Sequence, residues 1–347
     1  STQQETLFPY TTLFRSGEIP RVGALIRNPA MAGTLRRIAR EGVEDFYAGA
    51  IAGEIVADME RHGGLLAAGD LAGVAVAPGA PLEGRYRGLR VTTNPLPGGG
   101  AMLLMMLAIL ERFDLAAMGH NSAEYVATVS EAMKIATVEK DRRMGDPDFV
   151  AVPMGEMLSP AFADRAAARI RAGERQAVLR LGEGREEPRD TTHLCVVDAE
   201  GSLVTLTHSI GMPSGVVTEG LGVMYNGAMG VFDPRPGRPG SIAPGKRRFS
   251  AICPTILHDG DGPWAAIGAP GGTYITMSVL QGILNMVDFG MGAGEAAAAP
   301  RFCTTSATID VTNRILRSAE AGLRAMGYPV RRSAASYGFG GVHAVRR

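Results

Sequence analysis

The run Asp190-Thr191-Thr192-His193-Leu194-Cys195-Val196-Val197-Asp198 decides how this chain is read. It follows Gly182-Glu183-Gly184-Arg185-Glu186-Glu187-Pro188-Arg189, a charged segment without apolar periodicity that reads as an exposed loop. Two runs rich in β-branched residues come next, Thr192–Val197 and Leu203–Ile210. Asp198-Ala199-Glu200-Gly201 joins them, and the pattern predicts a β-hairpin. A threonine at the junction of an exposed loop and a strand has a chemical use. A cut between Asp190 and Thr191 frees an α-amine beside the Thr191 hydroxyl. That hydroxyl is a weak nucleophile until a base takes its proton, and an N-terminal amine with a pKa of ~8 can be that base. Threonine pairs are also ordinary in strands, so Thr191-Thr192 alone does not separate chemistry from packing.

The downstream sequence separates them. Thr-Thr-His-x-x-Val-Val-Asp at 191–198 precedes Pro-Gly-Lys-Arg at 244–247, Pro-Thr-Ile at 254–256 and Gly-Ala-Pro-Gly-Gly at 268–272. In that order these motifs resemble the small subunit of the γ-glutamyltransferase (glutathione hydrolase) family of N-terminal-nucleophile hydrolases. Phe46-Tyr47-x-Gly49, Gly63-Gly64, Asp70-Leu71, Pro97-x-Gly99-Gly100, Glu131-Ala132-x-Lys134 and Gly145-Asp146-Pro147-Asp148 resemble the second part of its large subunit. The resemblance runs from about Asn28 to Val345. It implies a four-layer αββα sandwich, an α/β (α+β) fold, with a mostly helical large-subunit part.

Bulk properties narrow the class. A chain of 347 residues can bury a sizeable core. Lys+Arg and Asp+Glu both number 35, so no global field points to nucleic acid or an anionic membrane. Three cysteines, Cys195, Cys253 and Cys303, do not make a disulfide framework. The longest apolar run, Ala101–Leu110, is too short to span a bilayer, and the expectation is a soluble protein of cytoplasm or periplasm. Residues 1–16 are neither amphipathic nor a signal peptide. Thr6 to Ser16 reads like the translation of a common short-read sequencing adapter, so 1–16 is expected to be an artefactual leader. The resemblance lacks the first part of the large subunit and the chain stops within an expected strand at Val345-Arg346-Arg347, so both ends are expected to be truncated.

The remaining chain divides by composition. Residues 17–190 are expected to form the rest of the large subunit, with helices across 28–64, 102–112, 122–140 and 160–171 and a strand over 86–93. Residues 191–347 are expected to form the small subunit. There Ala251–Leu257 and Trp264–Ile267 read as a second hairpin, and Gly268-Ala269-Pro270-Gly271-Gly272 feeds a helix over 273–289. A strand at 307–311, a helix at 313–326 and strands near Val330 and Val342 complete the pattern.

Other constellations fail on inspection. Gly240 and Gly245-Lys246 have P-loop spacing, but Arg247 stands where Ser or Thr should bind magnesium, and no strand precedes. Ser214 lies in Gly211-Met212-Pro213-Ser214-Gly215, the wrong spacing for a nucleophile elbow. His193 and Cys195 with Cys253 or His208 are better explained by packing than by a metal. The reading needs no cofactor and no metal.

The resemblance assigns roles to particular residues. Thr191 is implied as nucleophile, and Gly271 and Gly272 as the oxyanion hole; their successive amides at a helix start suit developing negative charge. Ser209 and Ser250 are implied as substrate-binding hydroxyls. Gly211 stands for an asparagine, Ala251 for the second serine of a pair, and Ala228 and Val231 for groups that would hold a substrate's α-amine. The expected function is an autoprocessing amidase passing an acyl group from Thr191 to water or an amine. The substrate would be a small γ-glutamyl compound or amide, and the two self-cleaved subunits would stay together. The alternatives are an amidase of the same superfamily acting on oxamate or an acyl-lactam, and an inactive fragment that only binds.

Overall fold

The structure is a computed structural model that describes residues 21–178 and 191–347. The artefactual-leader reading of 1–16, the processing loop and Asp190 lie outside the described residues. The described residues form two compact units, one within 21–78 and 212–227, the other within 79–178, 191–211 and 228–347.

The first unit is built on two helices, α1 (Pro29–Glu41) and α2 (Ala50–Arg61). Asn28 caps α1 by accepting the Met31 N–H at 2.9 Å, and Pro29 occupies the first turn, where its missing N–H costs nothing. Ile51, Ala52, Ile55, Leu71 and Leu221 make its small core. Asp58 is buried beneath it and accepts the Thr218 hydroxyl at 2.8 Å.

The second unit carries the catalytic candidates. Strands β1 (Leu82–Tyr86) and β2 (Leu89–Thr93) precede helices α3 (Gly100–Leu110), α4 (Ala123–Arg143) and α5 (Pro160–Arg171). The hairpin β3 (Thr191–Val197) and β4 (Leu203–Ser209) follows, and then β5 (Thr255–Asp259), β6 (Gly262–Gly268) and α6 (Ile275–Val287). Strands β7 (Phe302–Cys303) and β8 (Ile309–Val311), helix α7 (Arg317–Ala325), β9 (Val330–Arg332) and β10 (His343–Arg346) end the chain. A five-stranded antiparallel sheet runs β1-β2-β5-β6-β10. A small sheet β9-β8-β7 lies apart from it.

The single strand expected over 86–93 is two strands. Arg87 and Gly88 reverse the chain between them with φ of 48° and 81°. The non-glycine turn is held by Arg87, whose guanidinium binds Asp288 at 3.0 Å and the Phe113 carbonyl at 2.5 Å. Helix ends shift by two or three residues at several places, and the helix expected over 313–326 begins only at Arg317.

Layering follows from which face each strand residue presents. Ile267 points at Gly282 of α6, whereas the next residue, Gly268, backs onto the His193 ring of the hairpin. Alternation along β6 therefore places helices on one face of the sheet and the β3–β4 hairpin on the other. Helix α3 is apolar all round, and ten of its eleven residues are buried against the sheet and neighbouring helices, which explains a segment with no polar stripe. The hairpin's inner residues are Thr191, His193, Cys195, Thr205 and Thr207; its outer residues Leu194, Val196, Val204 and Leu206 are exposed. Among the described residues no helix is long and apolar enough to cross a membrane.

Candidate active site

Thr191 opens β3 and pairs in register with Ser209, the last residue of β4. Their hydroxyl oxygens are 2.9 Å apart. Ser209 Oγ also accepts the Gly211 N–H at 2.9 Å, so the hydroxyl facing Thr191 is fixed by the strand end and by the turn after it. Thr191 is half-buried, at the open end of the hairpin.

Below Thr191 the hairpin's inner face is polar where it meets β6. His193 is 3% exposed; its Nδ1 lies 2.8 Å from Thr207 Oγ1, and its Nε2 3.2 Å from both Cys195 Sγ and Thr205 Oγ1. Its carbonyl meets His343 Nδ1 at 2.6 Å. Burial, with His343 beside it, pulls His193 down to about 4, so the ring is neutral at physiological pH. Burial likewise raises the Cys195 thiol, which leaves it protonated and unreactive. His208 faces outward on β4 and Cys253 is fully buried elsewhere. Among the described residues no three His, Cys, Asp or Glu side chains converge on a point.

Gly271 and Gly272 form the turn between β6 and α6. Their φ values of 139° and 58° are open to glycine and strained for other residues, and a Cβ on Gly271 would lie 2.6 Å from the Gly340 Cα. Among the described residues, neither amide donates a backbone hydrogen bond to the protein. Two free amides at a helix start are the geometry that holds an oxyanion. Gly268, three residues before, sits against His193, which ties this turn to the strand that carries Thr191.

The remaining candidates sit around a second loop. Ser250 donates its backbone N–H to the Pro97 carbonyl at 2.8 Å, and Gly99 donates to Ile252 O at 2.8 Å. The Pro95–Gly100 loop thus docks on 250–252, and Gly99 is required because a Cβ there would lie 2.6 Å from the Ala251 carbonyl oxygen. Ala228 and Val231 bound a short 3₁₀ turn, and Val231 is exposed.

Two features were not evident in the sequence. Asp146, 1% exposed, takes a fork from Arg247, with its Oδ1 2.6 Å from Nη2 and its Oδ2 3.1 Å from Nε, and accepts the Arg247 backbone N–H at 2.7 Å. Burial works to raise this carboxyl, but the hydrogen bonds and charge of Arg247 outweigh it and hold it below the ordinary range. The adjacent Arg248 is half-buried against Gly211, and its only hydrogen bond among the described residues goes to the Phe249 carbonyl at 3.1 Å. Pro-Gly-Lys-Arg at 244–247 marks the loop as a motif, but nothing local indicates which partners its arginines meet.

Known proteins resemble this chain in sequence and in fold. The chain is 33% identical over 305 residues to the glutathione hydrolase proenzyme of Escherichia coli K12, covering 83% of this chain and 53% of that protein. It is 36% identical over 324 residues to the acylase ACY 1 proenzyme of Pseudomonas sp. V22, covering 92% and 58%. The chain therefore spans little more than half the length of these relatives. Its fold superposes on the crystal structure of cephalosporin acylase from Bacillus halodurans with a TM-score of 0.85 and 28% identity, covering 98% of this chain and 62% of that one. That match shows the α+β sandwich of N-terminal-nucleophile hydrolases. The gamma-glutamyltranspeptidase family model matches residues 3–347, and with an ordered threonine at the expected strand start the chain belongs to that family.

Proposed function

We propose that this chain carries the nucleophile-bearing part of an autoprocessing amidase. The Thr191 hydroxyl first attacks the Asp190 carbonyl. Its proton moves to the departing amine, and an ester replaces the peptide bond. Water then cleaves the ester and leaves Thr191 with a free α-amine. In turnover that amine takes the hydroxyl proton while Oγ1 attacks a substrate amide carbonyl, with the Gly271 and Gly272 amides facing the developing oxyanion. Collapse expels the substrate amine, protonated by the α-ammonium, and forms an acyl ester on Thr191. Water or an acceptor amine then takes the acyl group. The observation that carries this reading is the 2.9 Å Thr191–Ser209 hydroxyl contact at the open start of β3.

The division at 190/191 yields a large-subunit part of 17–190 and a small subunit of 191–347. They would stay associated, because β2 from the first pairs with β5 from the second along Arg90–Thr93 and α3 lies against α6. The first substrate reading is a γ-glutamyl compound. A non-glutamyl amide is favoured as the second by Ala228 and Val231, which offer no charge to an ammonium. The full-length enzyme from the complete reading frame should process itself and hydrolyse an acyl anilide, and Thr191→Ala should do neither. Equal processing or turnover by Thr191→Ala would overturn the assignment.

A further inference from the structure

We infer that Ser278 is a positioning residue for acyl transfer, aiming the Gly271 amide through the glycine loop 338–341. This inference rests on the Thr191 amidase reading, in which the Gly271 and Gly272 amides face the oxyanion. A trans peptide unit is planar, and its C=O and N–H point opposite ways. Whatever holds the carbonyl therefore aims the amide of the same unit. The Gly271 N–H shares its unit with the Pro270 carbonyl, and that carbonyl accepts the Gly341 N–H at 3.0 Å. The Gly272 N–H shares its unit with the Gly271 carbonyl, which accepts the Tyr274 N–H at 3.1 Å. The second amide is thus aimed from within its own turn. The first depends on a segment far along the chain.

Ser278 sets that segment. It is 1% exposed on α6, and its Oγ accepts the Gly340 N–H at 3.0 Å, one residue before the Gly341 donor. No side chain separates the two pieces of backbone: a Cβ on Gly340 would lie 2.7 Å from Ser278 Oγ and 3.0 Å from the Pro270 carbonyl oxygen. Phe339 completes the fit. Its φ of 66° is one that a non-glycine residue keeps under tertiary constraint, and its ring meets Tyr274 edge to face at 5.4 Å. The same segment runs on into β10, where His343 Nδ1 meets the His193 carbonyl at 2.6 Å. It braces the oxyanion turn at one end and the strand that carries Thr191 at the other. The oxyanion forms only as the reaction proceeds, so a loosened Gly271 amide should slow the chemical step and leave substrate binding alone.

The test measures single-turnover acylation of the full-length enzyme by γ-glutamyl or butyryl p-nitroanilide, whichever turns over faster. Removing an oxyanion donor outright costs about 100- to 1000-fold. Ser278→Ala only loosens one, and should lower the acylation rate constant by about 10-fold with the substrate dissociation constant unchanged. Ser278→Cys, close in size and with a weaker acceptor, should fall between Ser278→Ala and wild type. An unchanged rate constant in processed Ser278→Ala, or a loss that appears in the dissociation constant instead, overturns the inference and leaves the Thr191 reading intact. Amide hydrogen exchange, followed by mass spectrometry on peptides covering 268–274 and 338–342, decides the case in which wild type turns over neither anilide and the Thr191 reading fails. Faster exchange in both peptides of Ser278→Ala still upholds Ser278 as the residue that sets the turn, and unchanged exchange overturns it.

Discussion

Thr191 Oγ1 and Ser209 Oγ face each other at 2.9 Å across the first pair of a seven-residue hairpin ladder. The contact is set by strand register, so it does not depend on the conformation of the loop before Thr191. Ser209 accepts one N–H from Gly211 and shares a hydroxyl–hydroxyl hydrogen bond with Thr191 in which either oxygen can donate. Ser209→Ala should therefore slow acyl transfer by about 10- to 100-fold with a folded, processed enzyme, and Ser209→Thr should restore most of it. Steady-state kinetics on the processed form checks this; full activity in Ser209→Ala would remove Ser209 from the mechanism.

Acid stability should report on Asp146. Its carboxyl is held below the ordinary range by Arg247, so its contribution is complete above the unfolded value near ~4 and is lost as pH falls through the folded one. Asp146→Asn should cost about 1–3 kcal/mol at neutral pH and flatten the steepest part of the acid limb. Urea melts of both proteins across pH 2–6, a range of about four units, measure it.

His193 should act in the neighbouring window. It is held at about 4 in the folded protein, while an unfolded histidine titrates near ~6.5. As pH falls below ~6.5 the unfolded chain binds the proton first, so stability declines towards pH 4. NMR titration of the His193 ring should show it neutral through pH 6; a charged ring at that pH would contradict the buried polar cluster.

A methyl group added at Gly268 would collide with the His193 ring. Gly268→Ala should destabilise the protein by about 1–3 kcal/mol, as overpacked interiors do. It should also lower turnover, because Gly268 leads into the Gly271-Gly272 turn. Unchanged melting and turnover would show that the two β layers are not held as tightly as the geometry implies.

Parts of this structure were legible in the sequence because their causes are local. The β3–β4 hairpin follows from β-branched alternation and the Asp198–Gly201 turn, and α6 from its apolar face after two glycines. The β1–β2 reversal was missed because Arg87 sits at positive φ only by virtue of Asp288, 201 positions away. The Asp146–Arg247 clamp spans 101 positions, so neither residue's neighbours in sequence announce it. Thr191 and Gly271-Gly272 could be named from motifs, but the Thr205 and Thr207 hydroxyls around His193 needed the register of the hairpin. Residues that owe their conformation to distant partners carry no local signal.

The central claim is that Thr191 becomes an N-terminal residue. Intact mass and N-terminal sequencing of the purified full-length protein test it most directly. The account predicts a C-terminal fragment beginning Thr191-Thr192-His193, absent from Thr191→Ala and co-purifying with the rest of the chain. A folded wild-type protein that remains one uncut chain would contradict it.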